Sequence, residues 1–500
     1  MTNSGSTAKW YPWNLPRIRV GDHFRGNREE DLIFYPRTSL NEFRVMIDSA
    51  LLSEVTSDFM IGYLLGLVAQ KPIRRYFYGE IGPPPVAQKI EFRGVPYPVD
   101  WIVTSPSDDF RAYEQIARVD GSSVHFGGID PNDFRMSTAL SLSIPREYLD
   151  DPNPREKVRS DVKAAIIADS TNMHLFITTR TTLFDDTLSM TRRATVLTPF
   201  DALPLVGLYL RLQGLHILEQ TATFRSSIGR KMTYWIAAGA LVPELRRWSY
   251  AATERARQTQ DESFRDLTRS IARRVERVLE ARDHLLGALA LPQDGYVADD
   301  VLSILDQIAF SLMGAFDAAA CVADMAFGIG SKPGAIGWQK EQWLSKLRDP
   351  NLGAILQAGT AQPTKGSDLI SILGSLRNSI HNIAMATIGF TENGGPTETL
   401  LFLNDRQLNQ FLSAVDRVGT RQQWGVISPG PGDLYIHPGK LIEALIPANL
   451  ALLNQLIATV PVENLAGQNW TFRPPKTSTQ LGDLYDASTE QRVLSQLGLL

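Results

Sequence analysis

An arginine and a histidine lie four positions apart in the sequence LRNSIHN, near residue 380. In a helix, Arg377 and His381 would be neighbours on one face, because positions i and i+4 lie side by side. Histidine can exchange a proton near neutral pH, and arginine donates forked hydrogen bonds to phosphate. The pair therefore indicates a phosphate site. A solvated arginine beside a structural histidine has the same spacing, so both interpretations stay open at this point.

The segment 367–390 is predicted to be a single helix. Ser367 is suited to be its N-cap, and Asp368 favours the first turn. Apolar residues recur at helical spacing and form one stripe, namely Leu369, Leu373, Leu376, Ile380 and Ile383. Arg377 and His381 lie at the rim of this stripe, where we expect a second helix to pack.

The composition of the 500-residue chain is that of a globular protein with a sizeable core, since 43% of its residues are hydrophobic and 21% are charged. The net charge of −4 argues against coating nucleic acid through bulk charge, although it allows a local basic patch. The single cysteine, Cys321, excludes an internal disulfide and is typical of a reducing cytoplasm.

Cofactor and membrane patterns are not found in the sequence. A metal site needs three or four converging ligands, and the spacing of the histidines does not supply them. His125 and His174 stand alone and are expected to be structural. The longest apolar run, 59–69, is too short to cross a bilayer, and the N-terminus lacks a signal-peptide core. We therefore expect a cytoplasmic protein with no metal, no cofactor and no membrane contact.

Four segments differ in pattern and predict an α+β fold, with a mixed α/β N-terminal region followed by a mainly α-helical C-terminal half. Residues 1–200 form the mixed α/β domain. Residues 201–292 are helical and arginine-rich, and their interleaved acidic residues favour salt-bridged helices over a nucleic-acid surface. Residues 293–465 form a helical domain. Residues 466–500 form a polar tail.

Local patterns give more detailed expectations for several segments. Apolar residues at three-to-four spacing predict a helix over 40–70. Short β-type runs occupy 89–92 and 99–104. A further helix is predicted over 405–418. The pair Asn393-Gly394 predicts a short hairpin or an extended loop.

The helical domain carries an acidic residue within a long helix, Asp317 in GAFDAAA, followed by a tryptophan-containing segment and then by LRNSIHN. This order of features resembles the HEPN superfamily, whose domains are compact α-helical bundles that often carry an Arg-Asn…His signature. Arg377, Asn378 and His381 match the residue types of that signature. The resemblance covers about residues 296–460.

The resemblance implies a metal-independent endoribonuclease that cleaves RNA, often as a homodimer, with a role in antiviral defence or a toxin system. His381 would act as general base or acid for attack of a ribose 2′-hydroxyl on the adjacent phosphate. Arg377 would stabilise the charge that develops on the phosphoryl oxygens. Asn378 would orient the histidine or contact phosphate, and Asp317 would hold one imidazole tautomer.

Two other functions fit the same residues. The interval between Arg377 and His381 is one residue shorter than is usual in the family, which favours a non-catalytic helical interaction module. The α/β region would then sense a ligand or a partner. A purely structural assembly protein is the third interpretation.

Overall fold

The structure is a computed structural model with an α+β fold, and its C-terminal half is mostly helical, as the sequence predicts. The residues that it describes are 43–53, 59–70, 73–79, 89–92, 95–98, 100–105, 113–117, 123–126, 144–184, 194–220, 225–291, 293, 295–347, 349–356, 364–381, 385–391, 397–430, 433–467, 470–471 and 487–500. The chain forms two compact units, one of residues 1–228 with 495–498 and the other of 229–494 with 499–500.

The first unit is built on a seven-stranded sheet with the order β7-β6-β5-β2-β1-β8-β9. β1 is parallel to β2 and β8, β2 is parallel to β5, and β8 is parallel to β9, whereas β6 and β7 continue the sheet in antiparallel fashion. The strands of the unit are β1 (Phe43–Asp48), β2 (Ile73–Gly79), β3 (Lys89–Phe92), β4 (Val95–Pro98), β5 (Asp100–Ser105), β6 (Tyr113–Ala117), β7 (Ser123–Phe126), β8 (Leu175–Ile177), β9 (Thr195–Leu197), β10 (Ile217–Gln220) and β11 (Arg225–Ser227).

Helices cover both faces of the parallel part of this sheet. They are α1 (Phe59–Val68), α2 (Pro154–Ser170) and α3 (Pro199–Leu212). Met46 and Phe176 lie in the buried cluster that includes Val162 of α2. Phe43 meets Tyr209 of α3, with 4.7 Å between ring centroids. Successive strand residues point to opposite faces, so a sheet covered on both sides is apolar at nearly every position.

This double burial explains why the helix predicted over 40–70 is wrong in its first part. Phe43–Asp48 is strand β1 and Ser49–Ser53 is a 3-10 helix, so that among the described residues of this range only Phe59–Val68 forms an α-helix. A short, continuously apolar run has the same appearance in a buried strand and in a buried helix. The β-type runs at 89–92 and 99–104 are confirmed as β3 and β5.

The second unit packs helices around a pair of long helices, α6 and α7, and adds a four-stranded antiparallel sheet of order β12-β13-β15-β14. Its helices are α4 (Arg230–Leu241), α5 (Glu244–Thr259), α6 (Ser263–Leu289), α7 (Gly295–Ala326), α8 (Glu341–Leu347), α9 (Pro350–Leu356), α10 (Lys365–His381), α11 (Asp405–Val418), α12 (Pro438–Thr459), α13 (Glu463–Ala466) and, continuing into the residues of the first unit, α14 (Ala487–Leu497). Its strands are β12 (Ala386–Thr391), β13 (Thr397–Phe402), β14 (Val426–Gly430) and β15 (Asp433–Ile436).

The single helix predicted over 367–390 is wrong beyond His381. The helix ends there, and Ala386–Thr391 forms strand β12, paired in antiparallel register with β13. Residues such as Ile388 and Phe390 favour a pleated surface, and pairing with β13 decides the conformation. The hairpin expected around Asn393-Gly394 is confirmed by this pairing, although its turn lies outside the described residues.

The start of α10 also differs from the prediction, because Ser367 is not the N-cap. The helix begins at Lys365, and the Thr364 hydroxyl oxygen accepts a hydrogen bond from the backbone N–H of Ser367 at 3.2 Å. The Ser367 hydroxyl donates in turn to the Thr364 carbonyl at 2.8 Å. Thr364 therefore caps the first turn.

Among the described residues, two helices of the second unit are long and apolar enough to span a membrane by length and composition. They are α7 and α12, whose most apolar windows have a mean hydropathy of 1.5. Within those windows, 72% and 56% of the residues are buried by the rest of the protein. This degree of burial is typical of helices in a protein core. The expectation of no membrane contact stays a prediction.

Candidate functional site

A cleft of about 310 Å³ lies in the second unit between α7, α10 and the segment that joins α7 to α8. Asp317 and Cys321 contribute to its wall from α7, Ile370 and Arg377 from α10, and Lys340 from the joining segment. Two of the residues singled out from the sequence, Asp317 and Arg377, thus line the same cavity although they are sixty positions apart.

Packing of α10 places Arg377 at this cleft. Leu369, Leu373 and Leu376 are buried, so the predicted apolar stripe faces the interior over this part of the helix. Arg377 follows directly and is half-buried at the rim. At the other end of the helix, the Asp368 carboxylate accepts two hydrogen bonds from the Arg417 guanidinium of α11, at 2.6 and 2.9 Å. This forked ion pair ties α10 to its neighbour.

Two tryptophans, Trp338 of the joining segment and Trp343 of α8, donate hydrogen bonds to α7. The Trp338 indole Nε1 donates to the backbone carbonyl of Phe316 at 2.8 Å, one residue before Asp317. The Trp343 indole Nε1 donates to Asp324 Oδ1 at 2.8 Å. Both tryptophans are buried, and their rings meet edge to face at 5.2 Å between centroids. The wall of the cleft opposite α10 is therefore held in place on α7.

Asp324 is a structural carboxylate, unlike Asp317 on the same helix. Burial favours its neutral form, but the Trp343 indole and the backbone N–H of Ser331 donate to it and lower its pKa overall. Asp317 behaves in the opposite way. Crowding around its carboxyl group removes water and raises the pKa, against the lowering effect of the positive charges of Arg377, Arg274 and Lys340.

The positive charges near Asp317 act on its carboxyl group without direct contact. Within the part of the chain that the structure describes, no hydrogen bond joins the Asp317 carboxylate to Arg377, Arg274 or Lys340. The Lys340 ammonium donates to the carbonyl of Gly334. Arg377 and Lys340 line the cleft together with the carboxylate of Asp317, and Arg274 is close enough to act on that carboxylate, so positive charge is in excess and attracts an anion such as phosphate.

Arg274 reaches this position because residue 314 of α7 is a glycine. A Cβ atom at Gly314 would lie 1.9 Å from Arg274 Nη1, so any larger side chain would displace the guanidinium. Arg274 belongs to α6, and its Nε donates to the Ser270 hydroxyl at 3.3 Å. This close approach of the guanidinium to the backbone of α7 brings the positive charge of Arg274 near Asp317.

Cys321 is unsuited to act as a nucleophile in this cleft. Burial raises the pKa of its thiol, and the negative charges of Asp317 and Asp324 raise it further. The thiolate is the reactive form of cysteine, so a raised pKa keeps the group inert near neutral pH. The chemistry of the cleft is therefore that of cations and a carboxylate.

Asn378 and His381 lie on the last turn of α10, and His381 is its final residue. Their side chains lie outside the described residues, so the predicted contact between Arg377 and His381 stays a prediction.

Sequence reasoning missed Arg274 and Lys340 as members of this site. The one available signal was Gly314, an isolated glycine within a helical pattern, which often marks close approach of another group.

His174 and His437 have structural roles. His174 is buried, its Nδ1 accepts from the backbone N–H of Arg44 at 3.0 Å, and burial lowers its pKa to about 3. His437 caps α12, because its Nδ1 accepts from the N–H groups of Gly439 and Lys440. The side chain of His125 lies outside the described residues.

The arginine-rich region is held by internal contacts. Arg247 donates to the carbonyls of Ile457, Ala458 and Val460 at the end of α12, at 2.9 to 3.1 Å. Arg257 pairs with Glu254 of its own helix at 2.8 Å. These contacts agree with the expectation of salt-bridged helices. Among the described residues, no group of three or more metal-ligating side chains is found.

No protein-family model, curated protein or solved structure matches this chain. The HEPN resemblance thus continues to depend on the sequence pattern alone, namely Asp317 within a long helix, the tryptophan-containing segment and LRNSIHN.

Proposed function

We propose that the protein is a metal-independent endoribonuclease and that the cleft between α7 and α10 is its active site. The observation that carries this proposal is the convergence of Asp317 and Arg377 on one cavity, with Arg274 and Lys340 close enough to change the pKa of the carboxyl group. Cations that surround an open space match the charge of a phosphodiester.

In the proposed reaction, a ribose 2′-hydroxyl attacks the adjacent phosphorus atom and the bond from phosphorus to the 5′-oxygen breaks. His381 takes the proton of the 2′-hydroxyl or supplies one to the departing 5′-oxygen. Arg377, with Arg274 and Lys340, stabilises the negative charge that develops on the phosphoryl oxygens. Asn378 orients the histidine or contacts phosphate, and Asp317 holds the imidazole tautomer. The products are a 2′,3′-cyclic phosphate and a 5′-hydroxyl.

A labelled single-stranded RNA, incubated with the protein in EDTA, tests this proposal. We expect cleavage by the wild-type protein, with cyclic phosphate ends, and a loss of about 10²–10⁴-fold in rate for His381→Ala. Arg257→Ala is the matched control, because Arg257 is an exposed arginine paired with Glu254 on α5. Cleavage that requires a divalent metal, or that is equal in wild type and His381→Ala, would contradict the proposal.

A second candidate function is a non-catalytic sensing or interaction protein, and the sheet of the first unit favours it. The strand order reverses between β1 and β8, and open α/β sheets bind ligands in the crevice at such a reversal. Asp48 at the end of β1 and Arg180 after β8 lie at this edge. Ligand binding that depends on Asp48 and Arg180, together with an absence of RNA cleavage, would favour this function.

A further inference from the structure

A second cavity, of about 270 Å³, lies beside the candidate active site. Trp338, Gln339 and Ile370 line both cavities, so these three residues form a common wall. Ligand pockets commonly have volumes of roughly 300–1,000 Å³. Each cavity is at or below the lower end of that range and is suited to one part of a nucleotide.

The two cavities differ in charge. Asp317, Lys340 and Arg377 line the first cavity, whereas the one ionisable group among the described lining residues of the second is the exposed Glu341. The second cavity has instead uncharged polar groups and aliphatic side chains. A cavity with this lining is suited to a neutral, flat molecule that forms hydrogen bonds along its edges.

Amide and hydroxyl groups supply the hydrogen-bonding edge of the second cavity. Gln410 of α11 donates through Nε2 to the Ser371 hydroxyl at 3.3 Å, and Gln410 is exposed. A glutamine amide offers both a donor and an acceptor, and it can pair with the edge of a base at two points. Leu344 and Leu356 line the same cavity and are suited to the apolar faces of such a ring.

Gly374 of α10 keeps this cavity open. A Cβ atom at Gly374 would lie 3.6 Å from Gln339 Nε2, which is ordinary van der Waals contact. Alanine therefore fits at this position, whereas a longer side chain would extend into the cavity. This difference provides a matched pair of variants.

We propose that the second cavity is a nucleobase subsite that holds an unpaired base of the RNA whose phosphate lies in the first cavity. The inference rests on the proposed function, since it takes the first cavity as the phosphate site. A base can enter a pocket only when it is unpaired, so the substrate class is single-stranded RNA. Gln410 and Ser371 contact the edge of the base, and Gly374 leaves the space for it.

The test uses fluorescent 2′-O-methyl RNA tetranucleotides, which lack the attacking hydroxyl and cannot be cleaved by this route. Binding is measured by anisotropy for the intact tetranucleotide and for analogues with one abasic residue at each position in turn. At one position we expect the missing base to weaken binding to the wild-type protein by about tenfold, a typical effect of a paired contact to a base. Gly374→Leu and Gln410→Ala should remove this difference, and Gly374→Ala should keep it.

Arg377→Ala provides the contrast, because it should weaken binding of intact and abasic tetranucleotides by the same factor. Circular dichroism of each variant checks that the fold is kept, and Gln410→Ala tests the subsite even if Gly374→Leu does not fold. A base-dependent difference that Gln410→Ala removes supports the subsite even when RNA is not cleaved. Equal binding of intact and abasic tetranucleotides, or a difference that survives Gln410→Ala, overturns the subsite while RNA cleavage can still be observed.

Discussion

Each unit contains a cluster of charged residues, and the two clusters differ in how their charges are paired. In the first unit, Asp48 accepts hydrogen bonds from the Thr178 hydroxyl at 2.9 Å and from Arg180 Nε at 2.6 Å. Arg180 also donates to Asp161 at 3.2 Å, and the other oxygen of Asp161 accepts from the Tyr148 hydroxyl at 2.6 Å. Every charge in this group has a direct partner.

In the second unit, the Asp317 carboxylate lies among three cations without a hydrogen bond to any of them, within the described residues. Asp317 and two of these cations, Arg377 and Lys340, line an open cleft. Charges that pair with one another hold elements of the fold together, and replacing one leaves a buried charge without compensation. Charges that face a cavity without contact are available to a ligand, so we expect their replacement to change function more than stability.

Arg377→Ala should have the largest effect and sharpens this contrast. We expect RNA cleavage to fall by about 10²–10⁴-fold, because the donor that stabilises the phosphoryl oxygens is lost. The melting temperature should change little, since Arg377 is half-buried at a rim and its hydrophobic neighbours remain in place. Arg377→Lys keeps the charge without the forked geometry and should give an intermediate rate. If Arg377→Ala cleaved RNA at the wild-type rate, Arg377 would not belong to the active site.

Asp48→Ala should show the opposite behaviour. Removing one partner of a buried ion pair typically costs about 3–5 kcal/mol when the other charge is left without compensation, and the lower end of this range applies here because Arg180 keeps its hydrogen bond to Asp161. We expect a loss of that order in the free energy of unfolding of the first unit, measured by urea denaturation. Glu156→Ala is the control, since its exposed pair with Arg159 should contribute less than about 1 kcal/mol. If Asp48→Ala were as stable as the wild-type protein, the paired charges of the first unit would not stabilise the fold, and the contrast drawn between the two units would be wrong.

Acid should destabilise the first unit through His174. Burial lowers its folded-state pKa to about 3 from the ordinary value of 6.5, so the unfolded chain binds more protons between these pH values. The stability that comes from the neutral imidazole is present above about pH 6.5 and falls with pH, by up to roughly 1.4 kcal/mol per unit. Denaturation at several pH values measures this slope. His174→Asn keeps an acceptor for the Arg44 N–H but does not titrate, and its slope should be smaller by that amount.

Trp338→Phe should have the smallest effect of the four. The variant loses one hydrogen bond, to the Phe316 carbonyl, and part of the buried indole ring, and we expect a loss of about 1–2 kcal/mol in the free energy of unfolding. Tyr296→Phe removes a hydroxyl from a side chain that is 85% exposed and should leave stability unchanged. An equal effect of both substitutions would show that the indole contact does not hold the wall of the cleft.

Helices with one apolar face could be predicted from the sequence. Helix α11 spans Asp405–Val418, as predicted, because its polar and apolar positions separate cleanly at the helical period. Strand β1 could not be predicted, because it is buried on both faces and its pattern carries no period. The end of α10 and the start of β12 were also missed, since pairing with β13 determines where the helix stops.

The candidate site, too, could be predicted only in part from the sequence. The sequence by itself determined that Arg377 lies beside a buried stripe of α10 and that Asp317 lies within the long helix α7, because both positions follow from helical spacing. Only the tertiary structure decided that these two residues line one cleft and that Arg274 and Lys340 act on it. Those residues are far apart in the chain, and the distances between them depend on how the helices pack. The packing depends in turn on contacts such as Arg274 against Gly314, which a local pattern does not contain.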